Sequence, residues 1–245
     1  MTATGHDEAT EPSAPPPPSR RTRGRIATAV SVFGELLITI GVIMALFVVY
    51  ALWWTNVLAD REANEQGDQM RKQWAQQPKG PGALDTQGGI GFLHVPSMTG
   101  GEILVEKGTD LDVLNKGVAG YYTAPIKSAL PQDAKGNFTL AAHRDGHGAK
   151  FHNIDKIKKG DPVVFESKDT WYVYKVYATL PETSKFNVDV LQNVPKESGK
   201  RKPGRYITLT TCTPVYTSNY RYIVWGELVR TEKVDADRTP PAELR

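Results

Sequence analysis

Hydrophobic and polar positions fall into distinct regimes along the chain. From Leu36 to Trp54, 19 consecutive positions (LLITIGVIMALFVVYALWW) carry no charge. As an α-helix that run covers roughly 28 Å, about the hydrocarbon thickness of a bilayer. It has no polar face, unlike the core helix of a small soluble protein. It is longer than the apolar core of a secretory signal, and no clear small-x-small cleavage site follows, so the pattern predicts an uncleaved anchor. Trp53 and Trp54 suit the interface at its far end, and Glu35 is close enough to the headgroups at the other to stay hydrated.

From Ile90 onward the pattern changes to short β-rich runs separated by turn residues. Strands are predicted at 90–95, 102–106, 137–142, 162–166, 171–178, 206–211 and 221–229. Short helices are predicted at 109–116, capped by Thr109 or Asp110, and around 150–157. Many short strands with few helices predict a closed or nearly closed barrel. No internal repeat is visible.

The remaining segments are polar. Residues 1–25 hold few apolar groups, the run Pro15–Pro18, and Arg20, Arg21, Arg23 and Arg25. Such a tail cannot bury enough surface to fold alone, and its arginines place it in the cytoplasm. Everything after the anchor is then extracytoplasmic. Residues 58–77 are compatible with a short polar helix, and 78–89 (PKGPGALDTQGG) read as a linker, together a stalk. The expected organisation is a disordered tail (1–25), a transmembrane anchor (26–55), a stalk and linker (56–89), one folded domain (90–230) and a loose tail (231–245).

Composition narrows the function classes. The 245 residues suit one domain with appendages. Thirty basic against 27 acidic side chains give +3, too weak a balance to point to nucleic acid. The single cysteine excludes an intramolecular disulfide and a thiolate-rich zinc site.

An unpaired cysteine outside the cytoplasm is a candidate for chemistry. Cys212 ends the run Tyr206–Thr211, and period-2 alternation puts Tyr206, Thr208, Thr210 and Cys212 on one face. Pro214 follows and stops regular pairing, so the thiol stands at a strand end beside a loop. Taken alone, Cys212 reads equally well as a small core residue. His143 ends the strand FTLAA, and Arg221 opens RYIVW nine residues after the cysteine. Two strands joined by a short loop bring Cys212 and Arg221 to one barrel end.

Together these residues resemble sortases. Thr208-Leu209-Thr210-Thr211-Cys212 matches the T-L-x-T-C signature of that family, with Arg221 and His143 in its arginine and histidine positions. The resemblance runs from about Ile90 to Val229, and 208–228 looks most like class E sortases of high-GC Gram-positive actinobacteria. One departure is Ala142, where the family commonly has glycine. The resemblance implies an all-β, eight-stranded sortase-type barrel with short helices, preceded by a single transmembrane helix. It implies a cysteine transpeptidase without a cofactor, with Cys212 as nucleophile, His143 as general acid and base, and Arg221 as oxyanion donor. The implied partners are secreted proteins bearing an L-A-x-T-G-like sorting motif and the amine of a lipid-linked cell-wall precursor. Tyr122 and Thr211 are the expected substrate contacts. A pilus-polymerising sortase and a non-catalytic anchored β-domain are the alternatives. L,D-transpeptidases and papain-like hydrolases need other motifs around their cysteine.

Other features carry less. Leu180-Pro181-Glu182-Thr183 imitates a sorting motif, but Ser184 replaces glycine and no apolar stretch follows. His143, His147 and His152 do not predict zinc, because Asp145–Gly148 reads as a turn rather than a helix. Lys196, Lys200, Arg201, Lys202 and Arg205 read as a solvated loop before the cysteine strand, where the family's mobile substrate-covering loop lies.

Overall fold

A computed structural model of the chain describes residues 24–76, 89–99 and 101–245. The expected tail over 1–23 and linker residues 78–88 lie outside the described residues. Two compact units divide between Phe47 and Val48. The first holds nearly all of helix α1 (Arg25–Val49), none of whose residues is buried. It is long and apolar enough to cross a membrane.

In the second unit a π-type turn (Tyr50–Trp54) precedes helix α2 (Thr55–Gln76). Eight strands follow: β1 (Gly91–His94), β2 (Glu102–Lys107), β3 (Ala119–Tyr121), β4 (Gly136–Ala141), β5 (Pro162–Glu166), β6 (Thr170–Ser184), β7 (Arg205–Thr213) and β8 (Tyr220–Lys233). They close into a barrel in the order β1-β2-β3-β4-β7-β8-β6-β5. The β2–β3 and β4–β7 pairs are parallel and the others antiparallel. A one-turn helix, α3 (Leu111–Leu114), lies between β2 and β3 with Asp110 at its N-cap.

Alternation builds the core. Phe138 and Leu140 of β4, Ile207 and Leu209 of β7, Tyr222 and Val224 of β8, and Tyr172, Tyr174 and Val176 of β6 point inward. Each fully buried side chain of this size contributes about 1.5–3 kcal/mol. The intervening residues form the outer wall.

Three segments differ from expectation. β3 is only three residues long, and a Cβ on its Gly120 would sit 1.9 Å from the Gly108 carbonyl oxygen, so no β-branched run marks it. The segment read as a stalk is a helix docked on the barrel: Ala59, Ala63, Gly67 and Met70 are buried. Ala63 and Met70 pack with Phe92, Leu104 and Val118, and small residues at four-residue spacing let the helix approach. The segment read as a loose C-terminal tail is also held, because Val234 and Leu244 pack on Val164, Trp171 and Val173.

An ionic cluster ties both additions to the barrel. The Glu166 carboxylate is 1% exposed and accepts hydrogen bonds from Arg71 of α2 (3.1 and 3.0 Å) and Arg238 of the C-terminal segment (2.9 and 2.6 Å). His94 Nε2 lies 3.1 Å from it, and Arg71 also pairs with Glu102. His94, Glu102 and Glu166 are close enough to hold a metal, but these carboxylates already face two guanidinium groups. Burial alone pushes the Glu166 carboxyl up, whereas the hydrogen bonds from His94 and Arg71, the Arg71 charge and the Arg238 bond bring it down to about 2. A depressed folded pKa stabilises above the unfolded value of 4.5, and that contribution is lost as pH falls toward about 2. Glu166→Gln is therefore expected to cost about 3 kcal/mol at pH 7. Thermal unfolding of the detergent-solubilised chain checks this: the gap between wild type and variant closes as pH drops from 4.5 to 2. A gap independent of pH contradicts it.

Candidate active site

Three strand ends meet at one rim of the barrel. Ala141 of β4 is in register with Thr210 of β7, and Thr210 with Ile223 of β8. Two residues further along each strand direction come His143, Cys212 and Arg221. Cys212 pairs directly with Arg221, one step before the hairpin's last pair, Thr213 and Tyr220. Pairing thus runs past the predicted strand ends and leaves a tighter connection. The neighbours Leu140, Ala142, Leu209 and Tyr222 belong to the core, so alternation puts His143, Cys212 and Arg221 together on the outer wall.

Each of the three is held by its surroundings. Cys212 is partly exposed and free of any disulfide. Arg221 donates from Nη1 to the carbonyls of Ser218 (3.1 Å) and Tyr220 (2.9 Å), which fixes the guanidinium beside the thiol's strand. The His143 Nε2 lies 2.9 Å from Asn115 Oδ1. With an amide oxygen as acceptor, the neutral imidazole carries its proton on Nε2 and leaves Nδ1 as the basic nitrogen. Burial pushes the His143 pKa down from 6.5, the nearby His147 pushes it further and Asp145 opposes both. The His143 and His147 ring centroids are 5.4 Å apart. Neutral imidazole therefore dominates at neutral pH.

Asn115 was not visible as a site residue in the sequence. It caps the C-terminus of α3, and its contact with His143 spans 28 positions, so neither spacing nor residue type marks it. The following Lys116 pairs with the buried Glu106 of β2 at 3.1 Å and anchors that turn.

The loop after His143 is tied on two sides. Asp145 Oδ2 accepts from the backbone N–H of Tyr216 (2.6 Å) in the β7–β8 connection. On the other side Asn56 of α2 accepts from Gly148 N–H (2.9 Å), and Asp60 pairs with Lys150 (2.8 Å).

Of the two expected substrate contacts, only one lies on the outer wall. Tyr122 packs beside Val190, Leu191, Ile223 and Trp225. Burial raises its phenol pKa; the Arg221 charge and a Thr210 hydrogen bond lower it, and Cys212 adds to the rise. Its hydroxyl is thus within electrostatic range of both. Thr211 faces the other way. It is 3% exposed and its hydroxyl donates to the Ala142 carbonyl (2.7 Å), extending the β4–β7 contact to the residue before His143.

The β6–β7 connection is docked near the same wall. Trp225 Nε1 donates to Val190 O (3.0 Å), and Asn137 Nδ2 to Gln192 O (3.0 Å). Two members of its basic run have protein partners rather than solvent alone: Lys200 pairs with Glu227 at 2.6 Å, and Arg205 donates to Pro131 O at 2.5 Å. The sorting-motif look-alike is part of β6, where Leu180 pairs with Ile223 and Thr183 with Arg221.

The arrangement suits acyl transfer: a thiol, a base with one free nitrogen and a fixed cation share one face. Residues 93–229 match the sortase domain model. A Streptomyces coelicolor protein named sortase SrtE2 is 68% identical over the whole of both chains. The crystal structure of sortase E1 from Streptomyces coelicolor with a tripeptide in the active site covers 64% of this chain and 96% of its own, at 43% identity and a TM-score of 0.61. The structure of sortase E from Streptomyces avermitilis matches 64% of this chain and 97% of its own, at 35% identity and a TM-score of 0.56.

Proposed function

The chain belongs to the sortase family of cysteine transpeptidases, close to sortases E, and from that premise we propose that it is anchored by α1 with its barrel outside the cell. It cleaves a C-terminal sorting motif between Thr and Gly, with L-A-x-T-G preferred over L-P-x-T-G. It then joins the protein to the amine of a lipid-linked cell-wall precursor.

In this reading Nδ1 of the neutral His143 imidazole takes the Cys212 thiol proton, the resulting thiolate attacks the threonine carbonyl, and the carbonyl π electrons move onto oxygen. Arg221 stabilises that oxyanion through donors other than the Nη1 that binds Ser218 and Tyr220. The intermediate collapses by breaking the C–N bond, and His143 gives its proton to the departing glycine amine. A thioester remains on Cys212. His143 then takes a proton from the incoming amine as that nitrogen attacks the thioester carbonyl, and the Cys212 sulfur leaves as thiolate. Tyr122, packed on the same wall beside Ile223 and Trp225, contacts the motif.

The observation that carries the reading is the row His143–Cys212–Arg221 across three strand ends, with Cys212 and Arg221 in direct register. The test incubates the detergent-solubilised chain with L-A-x-T-G or L-P-x-T-G peptide and an oligoglycine amine, followed by mass spectrometry. The expected result is transfer of the fragment ending in Thr, faster from L-A-x-T-G. Faster transfer from L-P-x-T-G overturns the motif preference, and transfer from neither peptide overturns the proposed substrate.

A further inference from the structure

We infer that Arg144 is the positioning residue that holds His143, Cys212 and Arg221 in register from beneath. The inference rests on the assignment of those three as the reacting set. Each is followed by a residue of opposite facing: Arg144 after His143, Thr213 after Cys212 and Tyr222 after Arg221. The guanidinium of the first reaches the other two. Arg144 Nη1 donates to Thr213 Oγ1 at 2.8 Å, and its Cζ lies 5.8 Å from the Tyr222 ring centroid. Its remaining donors reach Asp155 Oδ1 (3.1 Å) and the His152 carbonyl (3.4 Å). Arg144 is 6% exposed and its bond to Thr213 is buried, whereas the Asp155 carboxylate at the other edge of the fork is 43% exposed.

The need for such a link follows from the sheet. The β4–β7 register ends at Ala141 and Thr210, and the next bond, Ala142 N–H to Thr210 O, is long at 3.4 Å. His143 therefore lies one residue past the last β4–β7 contacts, this long bond and the Thr211 hydroxyl on the Ala142 carbonyl, whereas Cys212 and Arg221 are still paired. The planar fork of Arg144 closes that gap, because it bonds the strand of the thiol on one edge and its own loop on the other. A lysine ammonium keeps the charge but cannot span Thr213, Asp155 and the Tyr222 ring together.

Arg144→Lys and Thr213→Val test this in the detergent-solubilised chain, with Cys212→Ala as the blank. Three quantities are read: kcat and KM for transfer from L-A-x-T-G peptide to oligoglycine, iodoacetamide alkylation of the only cysteine, and the NMR signal of the His143 ring. In Arg144→Lys, kcat is expected to fall about 100-fold, as for a displacement of about 1 Å, with KM and the melting midpoint little changed. The His143 signal shifts and the alkylation rate changes. Thr213→Val removes only the acceptor and moves the same readouts in the same direction by less. Folded variants with wild-type kcat, His143 signal and alkylation rate overturn the inference, as does a loss of rate that only matches a loss of folded protein. Failure of the underlying assignment looks different: wild type then transfers no more than the blank, and the His143 signal and alkylation rate still decide the role of Arg144.

Discussion

Replacing Cys212 by alanine is expected to lower transfer by about 10⁴-fold or more, the scale seen when a covalent nucleophile is removed. Cys212 is the only cysteine, so no second thiol stands in for it. It is partly exposed at a strand end and outside the barrel core, so the variant keeps its fold. Serine does not rescue, because at neutral pH a hydroxyl lacks the nucleophilicity of a thiolate. The measurement is turnover of sorting-motif peptide by wild type, Cys212→Ala and Cys212→Ser, with melting curves to show that all three are folded. Residual activity above about 1% of wild type in the folded alanine variant would mean that another group forms the acyl bond.

Replacing Arg221 by lysine is the second large effect, an expected loss of about 10²–10³-fold in kcat. The charge survives, so a simple electrostatic role predicts little change. The geometry predicts more, because Arg221 does two jobs at once. Its Nη1 is fixed by the Ser218 and Tyr220 carbonyls, and the rest of the fork is available to the oxyanion. A lysine has one nitrogen and cannot both anchor to those carbonyls and donate at the required angle. Because the oxyanion exists only after attack, the loss falls on kcat with KM nearly constant. A raised KM with unchanged kcat would instead assign Arg221 to ground-state binding of the peptide.

The parts of this molecule legible in its sequence are those set by period-2 alternation. Ile207 and Leu209 against Thr208 and Thr210 announce β7, its facing and the position of Cys212 before any coordinates are seen. The same rule places His143 and Arg221 at strand ends. What alternation does not encode is not legible there. β3 is a three-residue strand whose glycine answers to the carbonyl of Gly108, a neighbour twelve positions away. The second half of β6 looks like turn sequence, yet Leu180 and Thr183 pair because β8 is long enough to carry them. The docked face of α2 was readable in principle, since Ala59, Ala63 and Gly67 repeat every four residues. The polar residues around that face mask it. Asn115 and Arg144 act through contacts with His143 and Thr213 that only the closed barrel creates.

The most direct test of the account is intact-protein mass spectrometry of the full chain mixed with L-A-x-T-G peptide and no amine acceptor. The account predicts an adduct equal in mass to the acyl fragment ending in threonine, localised to Cys212 by fragmentation and released by hydroxylamine as a thioester. It predicts no adduct in Cys212→Ala. Peptide cleavage without an adduct on Cys212, or an adduct that survives in the alanine variant, contradicts it.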